Sequence, residues 1–143
     1  MKRKSQSLFQ EFIYAWYKRH HEFFILRKSC PVIRIALGDR LTGAYKLWHI
    51  FFKNLPRLSR FTIGTRIDTI FLDLIELVLL AGYTTREQKL GIVQKASGKL
   101  DSLKFFLKIA WDVRAIDHKK YAALSTPLVE VGRMLGGWLK QLR

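Results

Sequence analysis

Two pairs of lysines are the residues of this chain whose spacing could serve a ligand. Lys95 and Lys99 stand four residues apart, and so do Lys104 and Lys108. On a helix, that spacing places both ammonium groups of a pair on one flank and one turn apart, so that a polyanion could bind both. A solvated lysine face is the alternative interpretation. With two further cations these lysines make up the candidate nucleic-acid-binding set: Lys95, Lys99, Lys104, Lys108, Arg114 and Arg133.

The net charge favours a polyanionic partner. The 143 residues include 26 Lys and Arg against 11 Asp and Glu, which gives a formal charge of +15. The excess is spread along the chain, with nine basic and three acidic groups in residues 1–40 and 17 and eight in residues 41–143. Such a protein attracts nucleic acid first and a membrane surface second. A basic surface that serves only solubility is the remaining possibility.

The groups that enzymes and metal sites need at defined spacings are missing from the sequence. No Glu-x-x-His pair suits a di-iron site in a helical bundle, and no glycine-rich loop suits a phosphate. His20 and His21 are adjacent, so on a helix they would point in different directions. The sequence therefore predicts a protein with no catalytic residues, no metal and no cofactor.

Cysteine content and hydropathy indicate where the chain works. Cys30 is the only cysteine, which excludes an intrachain disulfide and suits a reducing cytoplasm. The most apolar stretch, residues 67–82, contains Asp68, Asp73 and Glu76 and is too short to cross a bilayer with those charges inside it. A cytoplasmic location without a membrane partner is expected.

Apolar residues at spacings of three and four predict helices after residue 40. The first helix covers about residues 42–54, and Pro56 ends it because the ring blocks continuation. The second begins after Ser59 as N-cap and runs to about Ala81, with Gly82 as its C-terminal stop.

Two more helices follow. The third opens with a capping box between the hydroxyl of Thr84 and Glu87, and ends near Arg114. The fourth begins at Asp117 as N-cap and is kinked by Pro127. The pattern predicts an all-α, antiparallel four-helix bundle, whose third helix has a heptad seam of Val93, Ala96, Leu100, Leu103, Leu107 and Ala110.

The second predicted helix is apolar on two sides, which indicates burial on two sides. Leu72, Ile75 and Leu79 lie opposite its core face and are therefore predicted to form a subunit interface. Asp73 and Glu76 are either the polar part of this helix or partners of a lysine across the interface.

Gly132 and Gly136 stand four residues apart in the fourth helix. Glycines at this spacing would let another helix approach closely, and simple weakening of the helix would not account for two of them. We expect tight helix packing at both positions.

Residues 1–40 form a basic, aromatic-rich N-terminal extension in this interpretation, and residues 41–143 form the bundle domain. A short helix over about residues 7–27 is plausible. Pro31 would interrupt it, and residues 33–37 could be an extended apolar run.

Residues 41–143 resemble the Avd family, the accessory variability determinants of diversity-generating retroelements, and the wider group of four-helix proteins encoded in rRNA intervening sequences. The run EVGRMLGGW near the C-terminus is the most specific part of the resemblance. The matching stretches are YKLW at residues 45–48, LIELVLLAG at 74–82, LKFFLK at 103–108 and EVGRMLGGW at 130–138.

The resemblance implies a four-helix bundle assembled as a homopentamer with a basic surface that binds RNA and possibly DNA. It also implies partnership with a retroelement reverse transcriptase in mutagenic synthesis of cDNA from a template RNA. The basic pair of the family's third helix falls on Lys104 and Lys108, with lysine in place of arginine. Lysine keeps the charge and loses the planar fork, so the implied contact is with phosphate and is not bidentate.

Three hypotheses for function follow. The first is a non-catalytic, nucleic-acid-binding accessory subunit of a reverse transcriptase. The second is a stand-alone RNA- or DNA-binding bundle without a polymerase partner, and a neighbouring reverse transcriptase gene would separate it from the first. The third is a peripheral membrane protein that uses the aromatic, basic N-terminus as an interfacial helix.

Overall fold

Four long helices make up the part of the chain that the computed structural model describes, residues 31–143. They are α1 (Pro31–Lys53), α2 (Thr65–Tyr83), α3 (Arg86–Asp112) and α4 (His118–Leu142). One α-helical turn, Arg57–Ser59, and a π-helical segment, Arg60–Gly64, lead into α2. The predicted all-α fold with a four-helix bundle is confirmed. The helix expected over residues 7–27 lies outside the described residues.

The helices pack in cyclic order around one core. α1 packs against α2 and α4, and α3 packs against the same two helices. Each helix contributes one buried apolar stripe, because residues at spacings of three and four share one face of a helix. The seam predicted for α3 is buried along its whole length, as are Ile67, Ile70, Phe71, Leu74 and Val78 of α2 and Leu124, Leu128, Val131, Leu135 and Trp138 of α4.

The first helix is longer than the sequence pattern predicted. It begins at Pro31, so the expectation of an extended run over residues 33–37 is wrong. The interruption expected at Pro31 concerns a preceding helix that lies outside the described residues. Leu37 and Leu41 are fully buried and continue the stripe of Ala44 and Trp48 at spacings of four and three. Burial of these two leucines stabilises the additional turns. The division predicted at residue 40 falls inside α1.

The predicted roles of Ser59 and Gly82 at the ends of α2 are wrong, although the helix ends at Tyr83, close to the predicted Ala81. Ser59 lies within the helical run, with φ −66° and ψ −32°, and its side chain makes no capping hydrogen bond. Pro56, with ψ 142°, is the residue that precedes the helical turn. Gly82 remains helical, and a Cβ there would lie 2.8 Å from Nη1 of Arg34, which donates a 3.1 Å hydrogen bond to the Gly82 carbonyl. Gly82 therefore gives room to a side chain from α1 and does not stop the helix.

The cap predicted for α3 is absent, whereas the cap predicted for α4 is present. The capping box at Thr84 is absent because its hydroxyl donates back to the Leu80 carbonyl of α2 at 2.7 Å. The N-cap at Asp117 is confirmed, since its carboxylate accepts from the Lys120 backbone N–H at 2.8 Å. Pro127 lies inside α4, as expected.

The junction between α1 and α2 is fixed by Arg60 and Gly64. Nη2 of Arg60 donates to the carbonyls of Lys53 and Leu55 at 2.8 and 3.0 Å, so a cation satisfies the C-terminal end of α1. Gly64 is buried, and a Cβ there would meet the Ser59 backbone oxygen at 3.0 Å. The junction leads directly into α2, where Arg66 lies beside α3.

Candidate nucleic-acid interface

The third helix carries cations on both sides of its buried seam. Lys95 and Lys99 lie on the side towards α2, where they line a groove with residues of that helix. Lys104 lies on the side towards α4, where its Nζ approaches Gly132. The two lysine pairs therefore belong to different surfaces, since a helix packed between two neighbours exposes a strip on each side of its core stripe.

The groove between α2 and α3 has a volume of about 390 Å³. Arg66, Lys95 and Lys99 supply its positive charge, and the Arg66 guanidinium lies 5.9 Å from the centre of the Phe106 ring. Gly98 and Ser102 leave space because they are small. Apolar carbon from Ile70, Leu77 and Phe106 lines the same groove. Cations at the rim of an apolar groove can bind the phosphates of a chain whose planar bases contact the floor.

An ion pair ties the two walls of this groove together. Nζ of Lys99 donates to Oδ2 of Asp73 at 2.8 Å, and both side chains are partly exposed. A lysine from another subunit was one predicted partner of Asp73, whereas the lysine found beside it, Lys99, belongs to the same chain. Lys95 is exposed and has no carboxylate within ion-pair distance in residues 31–143, so its charge stays available to a ligand.

Lys104 lies next to Gly132, where α3 packs against α4. A Cβ on Gly132 would lie 3.0 Å from Nζ of Lys104 and 3.4 Å from Cδ2 of Leu100, so the small residue at position 132 accommodates α3. Gly136 differs, because a Cβ there would have no neighbour within 4 Å among the described residues. Gly136 lies one turn beyond Gly132, and the tight contact expected there is not made within the described part of the chain.

Lys108 lies one turn further along α3 and is exposed. Its Nζ is 3.6 Å from Oδ2 of Asp112, and both side chains are more than half exposed. Surface pairs of this kind are worth about 0–1 kcal/mol, so a phosphate can displace the carboxylate at little cost.

The remaining predicted cations do not join either lysine pair through any contact within the described residues. Arg114 follows the end of α3 and has φ 59°, in the left-handed region. Its backbone N–H donates to the Trp111 carbonyl at 2.9 Å and that of Ala115 to the Ala110 carbonyl at 2.8 Å, which is the Schellman pattern of a helix end. Arg133 is exposed in α4, next to Gly132.

Arg66 and Phe106 line the groove but were not predicted from the sequence. Both join the groove only because α2 packs along α3. Arg66 stands in no motif, and Phe106 lies within the LKFFLK stretch, where only the two lysines were considered as ligands of a polyanion. The Arg66 position could have been suggested by its seven-residue spacing from Asp73, which places both on one face of α2.

Two tyrosines outside the groove have raised pKa values. Burial raises the pKa of the Tyr45 phenol, and the neighbouring Asp68 raises it further through its charge and a hydrogen bond. Burial also raises the pKa of Tyr83, while the charge of Arg34 opposes the shift. These groups stabilise contacts of α1 with α2 and add no cation to the candidate site.

No three His, Cys, Asp or Glu side chains in residues 31–143 are grouped so that they could hold a metal ion. In the same part of the chain, every helix is too short or too polar to cross a membrane.

The residues predicted to form a subunit interface lie on the outer side of α2. Leu72 and Leu79 are 47% and 56% exposed, and the adjacent Leu80 is 50% exposed. Ile75 is partly buried and packs against the core. The described residues therefore leave Leu72, Leu79 and Leu80 about half uncovered.

Comparison with known proteins gives one family. The family model described as bAvd-like matches residues 37–142, which include all of α2, α3 and α4 and most of α1. A search of curated proteins found no match.

Proposed function

Because the chain belongs to the bAvd-like family, we propose that it is a non-catalytic accessory subunit of a diversity-generating retroelement reverse transcriptase. In this role it binds template RNA, and possibly the DNA product, and holds nucleic acid and polymerase together during mutagenic cDNA synthesis. One observation of the fold supports the proposal most directly. The helix α3 presents lysines on both sides of a rigid buried seam, and the side towards α2 is a groove with Arg66 and Phe106.

The proposed binding is electrostatic. Lysine and arginine side chains neutralise phosphates, and the release of condensed counterions drives association. Lys95 is exposed, and Lys104 is partly exposed with its Nζ next to Gly132 of α4. Contacts with phosphate position a nucleic acid and carry little sequence information, so we expect weak sequence preference.

The proposed assembly is a homopentamer. Leu72 and Leu79, which are about half exposed in a single chain, would be covered by a neighbouring subunit. A ring then presents five copies of each basic surface to one long RNA, and multivalent binding strengthens the complex without any new type of contact.

Three double variants of the full chain test the proposal, each of which removes two positive charges. Lys104→Ala with Lys108→Ala changes the side towards α4. Arg66→Ala with Lys95→Ala changes the groove and leaves the Lys99–Asp73 ion pair in place. Lys46→Ala with Arg86→Ala is the matched control, since both residues are exposed and neither lines the groove.

The measurement is affinity for RNA and single-stranded DNA as a function of salt concentration. Loss of each phosphate contact should reduce the slope of log affinity against log salt by about 0.7–0.9. We expect both site variants to bind much more weakly than the control variant, with unchanged circular dichroism. Equal losses in all three variants would mean diffuse electrostatics without a site. Full affinity in both site variants would contradict the proposed role of α3.

The polymerase partner needs a separate experiment. The tagged full chain should co-purify with the reverse transcriptase encoded beside its gene, and this should persist after nuclease treatment. Absence of any such polymerase, with nucleic-acid binding retained, would instead support a stand-alone RNA- or DNA-binding bundle.

A further inference from the structure

Trp111, in the last turn of α3, is a tryptophan that the core does not enclose. Its indole lies parallel to the Tyr121 ring of α4, with 5.0 Å between ring centres and 10° between planes. The His118 ring is 5.7 Å away at the start of α4. Trp111 nevertheless remains 36% exposed, whereas Trp48 and Trp138 are buried. The Tyr121 ring thus supports one face of an indole that solvent still reaches.

Arg114 lies three residues further along and has an unfavourable backbone conformation for its type. The left-handed φ of 59° at a Schellman position is normally taken by glycine, which lacks the Cβ that crowds the following carbonyl. The folded protein is therefore less stable with an arginine at this position than it would be with a glycine. Strained residues of this kind concentrate at functional sites, where the side chain itself is needed.

Cations outnumber carboxylates around Trp111, since residues 108–120 contain four Lys or Arg against Asp112 and Asp117. Lys108 precedes Trp111 by three residues, which places the two side chains next to each other on the helix surface. Arg114 is exposed at the turn, and Lys119 is exposed in the first turn of α4. A partly exposed aromatic ring with exposed cations near it in the chain can bind an unpaired base and its phosphates.

We propose that the turn between α3 and α4 binds an unpaired nucleotide of single-stranded RNA or DNA. The base stacks on Trp111, which Tyr121 holds in place, and the adjoining phosphates contact Arg114 and Lys108. This proposal rests on the proposed nucleic-acid-binding function and adds a preference to it. Bases inside a duplex are already stacked on one another, so the turn selects single strands.

The experiment compares the affinity of the full chain for a fluorescein-labelled oligouridylate of about 12 nucleotides, within the usual range of single-strand sites, and for an RNA duplex of equal length. Trp111→Leu removes the ring and keeps an apolar side chain. We expect it to weaken oligouridylate binding about five- to 100-fold, the range for one stacked base, with duplex affinity changed less than twofold. Trp111→Tyr keeps a ring and should retain most of the parent's single-strand affinity.

Two further variants control the interpretation. Phe61→Leu removes another exposed ring, which does not belong to the turn, and should leave both affinities unchanged. Arg114→Gly should fold at least as well as the parent and still weaken oligouridylate binding. Because it is compatible with the backbone, it tests the site even where Trp111→Leu lowers stability.

The outcomes separate the two proposals. A parent that binds neither oligonucleotide contradicts the proposed function itself. A parent that binds both, with Trp111→Leu and Arg114→Gly unchanged, contradicts only the stacking site. Equal weakening towards single strand and duplex would also contradict it, since a lost stacking contact affects unpaired bases alone.

Discussion

At the scale of one residue, Arg114 has a backbone conformation that is unfavourable for most residues other than glycine. The left-handed conformation disfavours an L-residue by about 1–2 kcal/mol, whereas glycine adopts it freely. Arg114→Gly removes that strain, and the greater freedom of glycine in the unfolded chain offsets part of the gain. We therefore expect the free energy of unfolding to rise by about 0.5–1 kcal/mol, measured by urea denaturation.

The control for this prediction is the same substitution in regular helix. Arg133→Gly removes an equal charge from an exposed position of α4 and should lower the free energy of unfolding by about 0.5–1 kcal/mol. Opposite signs for the two variants identify the backbone conformation as the cause. Equal destabilisation would mean that Arg114 makes a stabilising contact in the folded protein.

At the scale of the elements, the glycines decide where helices can approach one another. A Cβ on Gly64 would lie 2.9 Å from Cδ1 of Leu55 and 3.0 Å from the Ser59 carbonyl oxygen, and a backbone oxygen cannot easily move. We expect Gly64→Ala to lower the free energy of unfolding by about 1–3 kcal/mol through overpacking. Denaturation monitored by circular dichroism measures this.

Gly136→Ala provides the contrast within the same experiment. A Cβ at Gly136 would meet nothing within 4 Å in the described part of the chain, so alanine should stabilise α4 by up to about 1 kcal/mol through its higher helix propensity. A loss of stability at Gly136 would show that this residue is covered by a contact outside the single chain's described residues, such as a second subunit.

At the scale of the whole molecule, the prediction concerns the oligomeric state, with the outer side of α2 as the proposed subunit interface. We expect light scattering to give a mass about five times the 16.8 kDa of the chain. Replacing Leu72 and Leu79 by glutamine should reduce the mass, because polar side chains would then be buried without partners.

Ile50→Gln with Leu58→Gln is the matched control, since both residues are exposed apolar groups outside α2. That variant should keep the mass of the parent. A monomeric parent at micromolar concentration would contradict both the interface and the pentamer, and with them the multivalent part of the proposed binding.

The sequence by itself determined the fold class and the core. Spacings of three and four along residues 41–143 identified the faces that are buried, because burying apolar surface is the main force that holds a helix in a bundle. The α3 seam and the N-cap at Asp117 depend on near neighbours in the chain. They were therefore predictable, and both are found in the structure.

Helix ends were less predictable because tertiary contacts compete with local signals. Leu37 and Leu41 extend α1 through burial against other helices, and Thr84 gives its hydroxyl to α2 and not to α3. Gly82 resembled a stop signal in the sequence, but in the structure it remains helical, and the Arg34 side chain of α1 fills the space beside it.

The candidate site shows the same division. The sequence identified the lysines of α3, since spacing alone places them on the flanks of a helix. Only the tertiary structure brought Arg66 and Phe106 to Lys95, paired Lys99 with Asp73, placed Lys104 over Gly132 and stacked Trp111 on Tyr121. Those contacts join different helices, and their partners depend on the rotation of each helix about its axis, which packing of the complete core decides.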